Sequence, residues 1–68
     1  MTEITSASEL VDKLKELRKL QGFTQAQVAK EIGRSRPTIT YFENKDVFLK
    51  FNDLLTLMHA LGVKMYFK

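Results

Sequence analysis

The 68-residue chain has no cysteine and a single histidine, His59. Without cysteine there is neither a disulfide nor a thiolate metal site. One imidazole, with no acidic pair that stands out from ordinary helix-surface charge, supplies neither a metal ligand set nor a general acid–base couple. Glycine occurs only three times and proline once, and there is no Gly-rich loop to cradle a phosphate. Repeats, low-complexity segments and linkers are lacking as well. No apolar run approaches the roughly 20 residues of a membrane span. The opening MTEITSASEL is acidic and polar, unlike a secretory signal. The expectation is a cytoplasmic non-enzyme that needs no cofactor and no metal.

A chain of this length forms one domain, expected to span 1–68. Such a domain buries only ~60% of its unfolded surface and is marginal alone, so dimerisation would help it. The net charge of +3 is modest, and its placement says more. Residues 1–20 are balanced, with four charges of each sign. Between Gly33 and Lys50, Arg34, Arg36, Lys45 and Lys50 face only Glu43 and Asp46. A local basic excess suggests a polyanion partner, against the plainer reading of a solvated face.

Four helices are written in the pattern. Ser6-Ala-Ser-Glu9 has capping-box form, and Leu10, Val11, Leu14 and Leu17 follow at helical spacing until Gly22. Thr24-Gln25-Ala26-Gln27 is a second capping box, with Phe23 and Val28 at the hydrophobic-staple positions. Val28, Ala29 and Ile32 make its buried face, and Gly33 ends it. Ser35 is placed to cap a third helix running to about Asn44, with Pro37 in its first turn. Ile39 and Phe42 should be buried there, leaving Arg36, Pro37, Thr40 and Tyr41 away from the core. The stretch NKDVFLK reads as irregular or as a short turn. A fourth helix runs from Phe51 to Leu61, stopped by Gly62. Its apolar residues Phe51, Leu54, Leu55, Leu57, Met58 and Leu61 fill an arc of about 160°. That is wide for a small domain, and part of it, Leu55 in particular, is expected to face a second subunit.

The tail alternates: Val63, Met65 and Phe67 against Lys64, Tyr66 and Lys68, the period of a strand. A lone strand exposes unpaired backbone groups. Pairing with the same strand of another copy would satisfy them in an antiparallel, isologous ribbon; docking as coil is the alternative. The expected dimer interface is therefore Leu55, Val63, Met65, Tyr66 and Phe67.

Two short helices joined by a tight turn, with Ala29 small at their approach and Ile32, Ile39 and Phe42 closing the corner, form the helix-turn-helix pattern. Its second helix enters the DNA major groove. Arg34 and Arg36 bracket the start of that helix, where the helix dipole disfavours cations by roughly 0.3–1 kcal/mol each. An anion bound there offsets the cost. Arg36, at the first helical position, can pair bidentately with guanine O6 and N7. Thr40 lies one turn further on the same face. Tyr41 can reach sugar, phosphate or a thymine methyl. Gln25 lies where first-turn N–H groups bind phosphate, and Asn44 and Lys45 follow the helix toward the backbone. With Ser35, Pro37 and Thr38 beside them, the candidate DNA contacts are Gln25, Arg34, Ser35, Arg36, Pro37, Thr38, Thr40, Tyr41, Asn44 and Lys45.

The stretch ELRKLQGFTQAQVAKEIGRSRPTITYFEN resembles the Xre/Cro helix-turn-helix family of mostly bacterial and phage transcription regulators. The likeness rests on Arg18, then G-x-TQ at 22–25, Ala29, the IG at 32–33, Ser35, the TI at 38–39 and the EN at 43–44. It implies an all-α, lambda-repressor-like bundle of four to five helices, with the short C-terminal β-strand pairing across a dimer. It also implies a structural ion pair between Arg18 and Glu43. Within the family, TITYFEN, FNDLLTLMHALG and VKMYFK are most similar to HipB-type antitoxins. The resemblance then implies a homodimer on a palindromic operator in the bacterial nucleoid, repression of its own operon and binding of a HipA-type kinase toxin. Base contacts would fall at Ser35, Arg36, Pro37 and Thr40. Two residues depart from the pattern: Lys50 replaces the usual small cap before the fourth helix, and Pro37 has no N–H to donate. A stand-alone phage-type repressor or controller protein, or a protein-interaction module that keeps the fold without specific DNA binding, are the alternatives.

Overall fold

The first helix, α1 (Ala7–Leu20), starts at Ser6, whose hydroxyl accepts from the Glu9 N–H. The return half of the expected capping box is displaced by one residue. The Glu9 carboxylate accepts from the backbone N–H and the hydroxyl of Thr5 at 3.1 and 2.8 Å, rather than from Ser6. Those two bonds hold the Glu9 carboxyl below its ordinary range, against smaller opposing effects of desolvation and Asp12. The second helix, α2 (Gln25–Glu31), has both halves of its box: Thr24 caps Gln27, and the Gln27 side chain accepts from the Thr24 N–H. Then follow α3 (Arg36–Glu43) and α4 (Phe51–Ala60). The computed structural model describes residues 4–64, and among these all regular structure is helical.

The core is one cluster to which every helix contributes. Val11 and Leu14 come from α1, Val28 and Ala29 from α2, Ile39 and Phe42 from α3, and Leu54, Leu57 and Met58 from α4. Ile32, Leu49 and Leu61 close it from the connections. The segment between α3 and α4 is irregular, as expected, but Leu49 is buried and Phe48 meets Phe42 edge-on with ring centroids 5.7 Å apart. Aromatic pairs favour that geometry. Gln21 Nε2 donates to the Leu61 carbonyl at 2.7 Å, tying the α1–α2 turn to the end of α4.

The turn between α2 and α3 sets the angle of the motif. Gly33 has φ +71°, and the chain leaves α2 through paired bonds, Gly33 N–H to Lys30 O and Arg34 N–H to Ala29 O. These are the two bonds of a Schellman stop. The same stop closes α3, but there the left-handed residue is Lys45, φ 66°. The Lys45 ammonium is held by Ser8 at 2.7 Å and Asp12 at 3.0 Å, so a residue in a disfavoured backbone region is fastened to α1.

The expected strand falls mostly outside the described residues; Met65, Tyr66 and Phe67 all lie there. Val63 is described, and its N–H donates to Met58 O at 2.8 Å while its side chain packs on the core. Leu55 is half-buried, and Phe51 at the start of the same face is 60% exposed. The wide apolar arc of α4 thus divides: Leu54, Leu57, Met58 and Leu61 fill the core, and Phe51 is left outside it.

A Cβ at Gly33 would meet nothing within 4 Å, so Gly33→Ala incurs only the left-handed backbone penalty of roughly 1–2 kcal/mol. For a domain this small we expect thermal unfolding, followed by circular dichroism at fixed protein concentration, to fall by about 4–8 °C per kcal/mol. An unchanged midpoint would contradict the role given to this turn.

Candidate nucleic-acid interface

Glu43 ends α3 on the side that faces α1 and is only 7% exposed; Arg18 of α1 is 8% exposed. Their side chains pair bidentately, Nε to Oε2 at 2.6 Å and Nη2 to Oε1 at 3.0 Å. A third guanidinium donor, Nη1, reaches the Phe23 carbonyl at 2.7 Å. The ion pair implied by the resemblance is therefore present, and it also fixes the α1–α2 turn. Burial pushes the Glu43 carboxyl up. Hydrogen bonds from Arg18 and Gln25, with the charges of Arg18 and Lys15, outweigh that and hold it below the ordinary carboxylate range.

The pair extends to the surface through two side chains. Gln25, the first residue of α2, donates from Nε2 to Glu43 Oε1 at 2.9 Å. Its other amide atom, Oε1, accepts from the Thr40 hydroxyl at 2.8 Å. Gln25 and Thr40 thus belong to one network, a link that no periodicity shows. A signal for it existed in the pair itself: a carboxylate has about four acceptor sites, and a bidentate arginine leaves some of them open.

Arg36 and Pro37 open α3. Arg36 is exposed and enters no ion pair among the described residues. Two shallow depressions meet at it. One is lined by Arg36, Pro37, Thr40 and Tyr41; the other by Arg36, Arg18, Thr24, Gln25 and Ala26. Tyr41 is 53% exposed. Of the candidate contacts, Gln25, Arg36, Pro37, Thr40 and Tyr41 therefore share one continuous surface.

The remaining candidates stand differently. Ser35 occupies the N-cap position of α3, but its hydroxyl makes no capping bond. The reason is local. A cap accepts from the second or third helical N–H; the second residue is Pro37, which has none, and the Thr38 N–H is bonded to the Ser35 carbonyl at 3.1 Å. The Ser35 hydroxyl turns instead to the Thr38 hydroxyl, 3.2 Å away. Arg34 is paired with Asp53 of α4 at 2.9 Å, so its charge at the start of α3 already has a counterion. Lys45 is engaged on α1 and is not gathered with Arg36 and Thr40. Asn44 is the exposed C-cap of α3.

The helix ends sort by charge. Glu9 and Asp53 lie in the first turns of α1 and α4, whereas α2 and α3 have no acidic residue there. Acidic side chains stabilise helix N-termini. Their lack at α2 and α3 leaves two positive dipole ends and the Arg36 cation facing the same side. Among the described residues no group of three or more His, Asp or Glu is arranged to hold a metal ion, and no helix is long and apolar enough to cross a membrane.

The family described as helix-turn-helix domain matches residues 9–64. No curated protein sequence matches the chain. Several solved structures do. A chain of a HipA-HipB-O2-O3 complex superposes with a TM-score of 0.87 at 28% identity, over 100% of this chain and 96% of that one. HipB in an O4 20-mer complex gives 0.86 at 28% identity, over 100% and 96%. A structure described as MDT protein gives 0.87 at 28% identity with the same coverage.

Removing one partner of a buried ion pair costs about 3–5 kcal/mol, because the other charge stays buried; Glu43→Gln should lose that much at pH 7. A carboxyl whose folded pKa lies below its unfolded value of about 4.3 contributes stability above that value, lost as pH falls through the folded pKa. The gap in urea midpoint between wild type and Glu43→Gln should therefore be constant above about pH 5 and narrow progressively as pH falls below it. A gap that already changes between about pH 7 and pH 5 would contradict a Glu43 carboxyl held below its ordinary range.

Proposed function

This chain belongs to the helix-turn-helix domain family, and on that premise we propose that it is a sequence-specific DNA-binding repressor of the HipB type, acting as a homodimer on a palindromic operator. The observation that carries the proposal is Arg36: an exposed cation with no ion-pair partner among the described residues, at the first position of a helix whose dipole disfavours it, between two surface depressions. Duplex DNA supplies what it lacks. Arg36 pairs with guanine O6 and N7 in the major groove, and the first-turn N–H groups of α2, beside Gln25, take a phosphate. Pro37 and Tyr41 make apolar contact. Ser35 and Thr38 present hydroxyls to the backbone, while Asn44 and Lys45 lie at the far end of α3.

The likeness to HipB in complexes with HipA and with a 20-mer supports two finer assignments. The protein is the antitoxin and autorepressor of a toxin–antitoxin module, and its protein partner is a HipA-type kinase. It is not an enzyme; it acts in the cytoplasm at the nucleoid. The whole chain, 1–68, is one domain, and residues 63–68 with Leu55 serve the dimer.

Selection of bound duplexes from a random library at about 0.15 M salt, where non-specific phosphate binding is weak, tests the proposal. A palindrome with half-sites about one helical turn apart is expected. Arg36→Ala should flatten one guanine position per half-site, a loss of about 1–3 kcal/mol of discrimination. A preference unchanged by Arg36→Ala would remove Arg36 from the reading surface, and no enrichment at all would overturn specific DNA binding.

A further inference from the structure

Given the DNA-reading role proposed above, we infer that Thr40 faces the duplex as a hydrogen-bond acceptor only, and so selects a base that presents an exocyclic amine, adenine or cytosine, on the strand it meets. The hydrogen-bond polarity is set from the core outward. Ionised Glu43 can only accept, so the Gln25 amide must turn its nitrogen toward Glu43 Oε1, 2.9 Å away. That leaves the Gln25 carbonyl oxygen facing Thr40 Oγ1 at 2.8 Å. An amide oxygen cannot donate, so the Thr40 hydroxyl must. A hydroxyl has one proton, and the alternative acceptor within reach, the Arg36 carbonyl at 3.3 Å, is also internal to the protein. Either way the proton stays inside. What remains for DNA is oxygen lone pairs and the methyl group.

In the major groove the donors are adenine N6 and cytosine N4, whereas guanine O6 and N7 and thymine O4 only accept. Guanine or thymine at this position would bring acceptor against acceptor. Thr40 is thus complementary in sense to Arg36 one turn earlier: the arginine only donates and reads guanine, and the threonine only accepts and rejects it.

The test starts from the sequence selected by the wild-type protein. Thr40→Val keeps the shape and the methyl group and removes only the hydroxyl. It should flatten one position per half-site, occupied in the wild-type motif by adenine or cytosine, and leave the Arg36 guanine in place. Replacing that base by an analogue lacking the exocyclic amine should weaken wild-type binding about tenfold and leave Thr40→Val unaffected. Gln25→Leu removes the 2.8 Å acceptor and leaves only the longer, 3.3 Å bond to the Arg36 carbonyl to hold the proton, so it should relax the exclusion of guanine and thymine there. Should Gln25→Leu fail to fold, as judged by circular dichroism, the Thr40→Val and base-analogue measurements decide alone. A Thr40→Val motif identical to wild type, or a flattened position that held guanine or thymine, would overturn the inference while leaving specific DNA binding intact. A wild-type protein that selects no sequence would overturn the DNA-reading role itself.

Discussion

Where α1, α2 and α3 converge, the chain buries two opposite charges against each other. Arg18 spends three of its donors on this junction, two on Glu43 and one on the Phe23 carbonyl. Taking ions out of water is expensive, and their attraction repays it only when geometry is good and the other polar atoms are also satisfied. Both conditions hold here, since no buried side-chain nitrogen or oxygen among the described residues lacks a partner. Such a pair is weak evidence for stability, because well-packed apolar residues often do as well. What distinguishes it is direction. An apolar substitute would fill the volume, but only a carboxylate fixed by arginine tells the Gln25 amide which way to turn.

From that junction the order passes to the surface in short steps. Glu43 orients Gln25, and Gln25 takes the proton of Thr40. Thr40 then presents one kind of chemistry beside Arg36. The helix ends add a second layer. Acidic residues stand in the first turns of α1 and α4 and are missing from those of α2 and α3. The protein leaves without an acidic side chain the two helix ends proposed to face phosphate, and Arg36 sharpens that imbalance. Arg34 does not, because Asp53 has already met it. Fold and interface are therefore one arrangement: the contacts that set the angle between α2 and α3 also set the polarity of the groups offered to DNA.

Much of the helix pattern was legible because α1 and α2 begin with side-chain caps and α1, α2 and α4 end at a glycine. Thr24 and Gln27 cap each other, and Gly22, Gly33 and Gly62 each stop a helix; the apolar spacing picked out Val28, Ile39 and Phe42. The position of Arg36 at the first turn of α3 followed from the same signals. Other features were hidden for physical reasons. Ser35 has the right residue type and place for a cap, yet Pro37 removes the N–H it would take. The Arg34–Asp53 bond joins residues 19 apart, and the Gln25–Glu43 bond joins residues 18 apart. Their meeting depends on how helices cross, which local patterning does not encode. Lys45 shows the same limit. Its charge suggested phosphate, but a left-handed stop aims the side chain at Asp12 and Ser8 instead.

The most direct measurement replaces the pair by apolar residues of similar size, Arg18→Met with Glu43→Leu, and compares urea unfolding with the affinity for the selected operator. The double variant is expected to fold with a stability within a few kcal/mol of wild type, with operator binding weakened about tenfold or more and preference lost at the Thr40 position. A double variant that folds and still reads the operator with wild-type affinity and preference would contradict the orienting role of the Arg18–Glu43 pair.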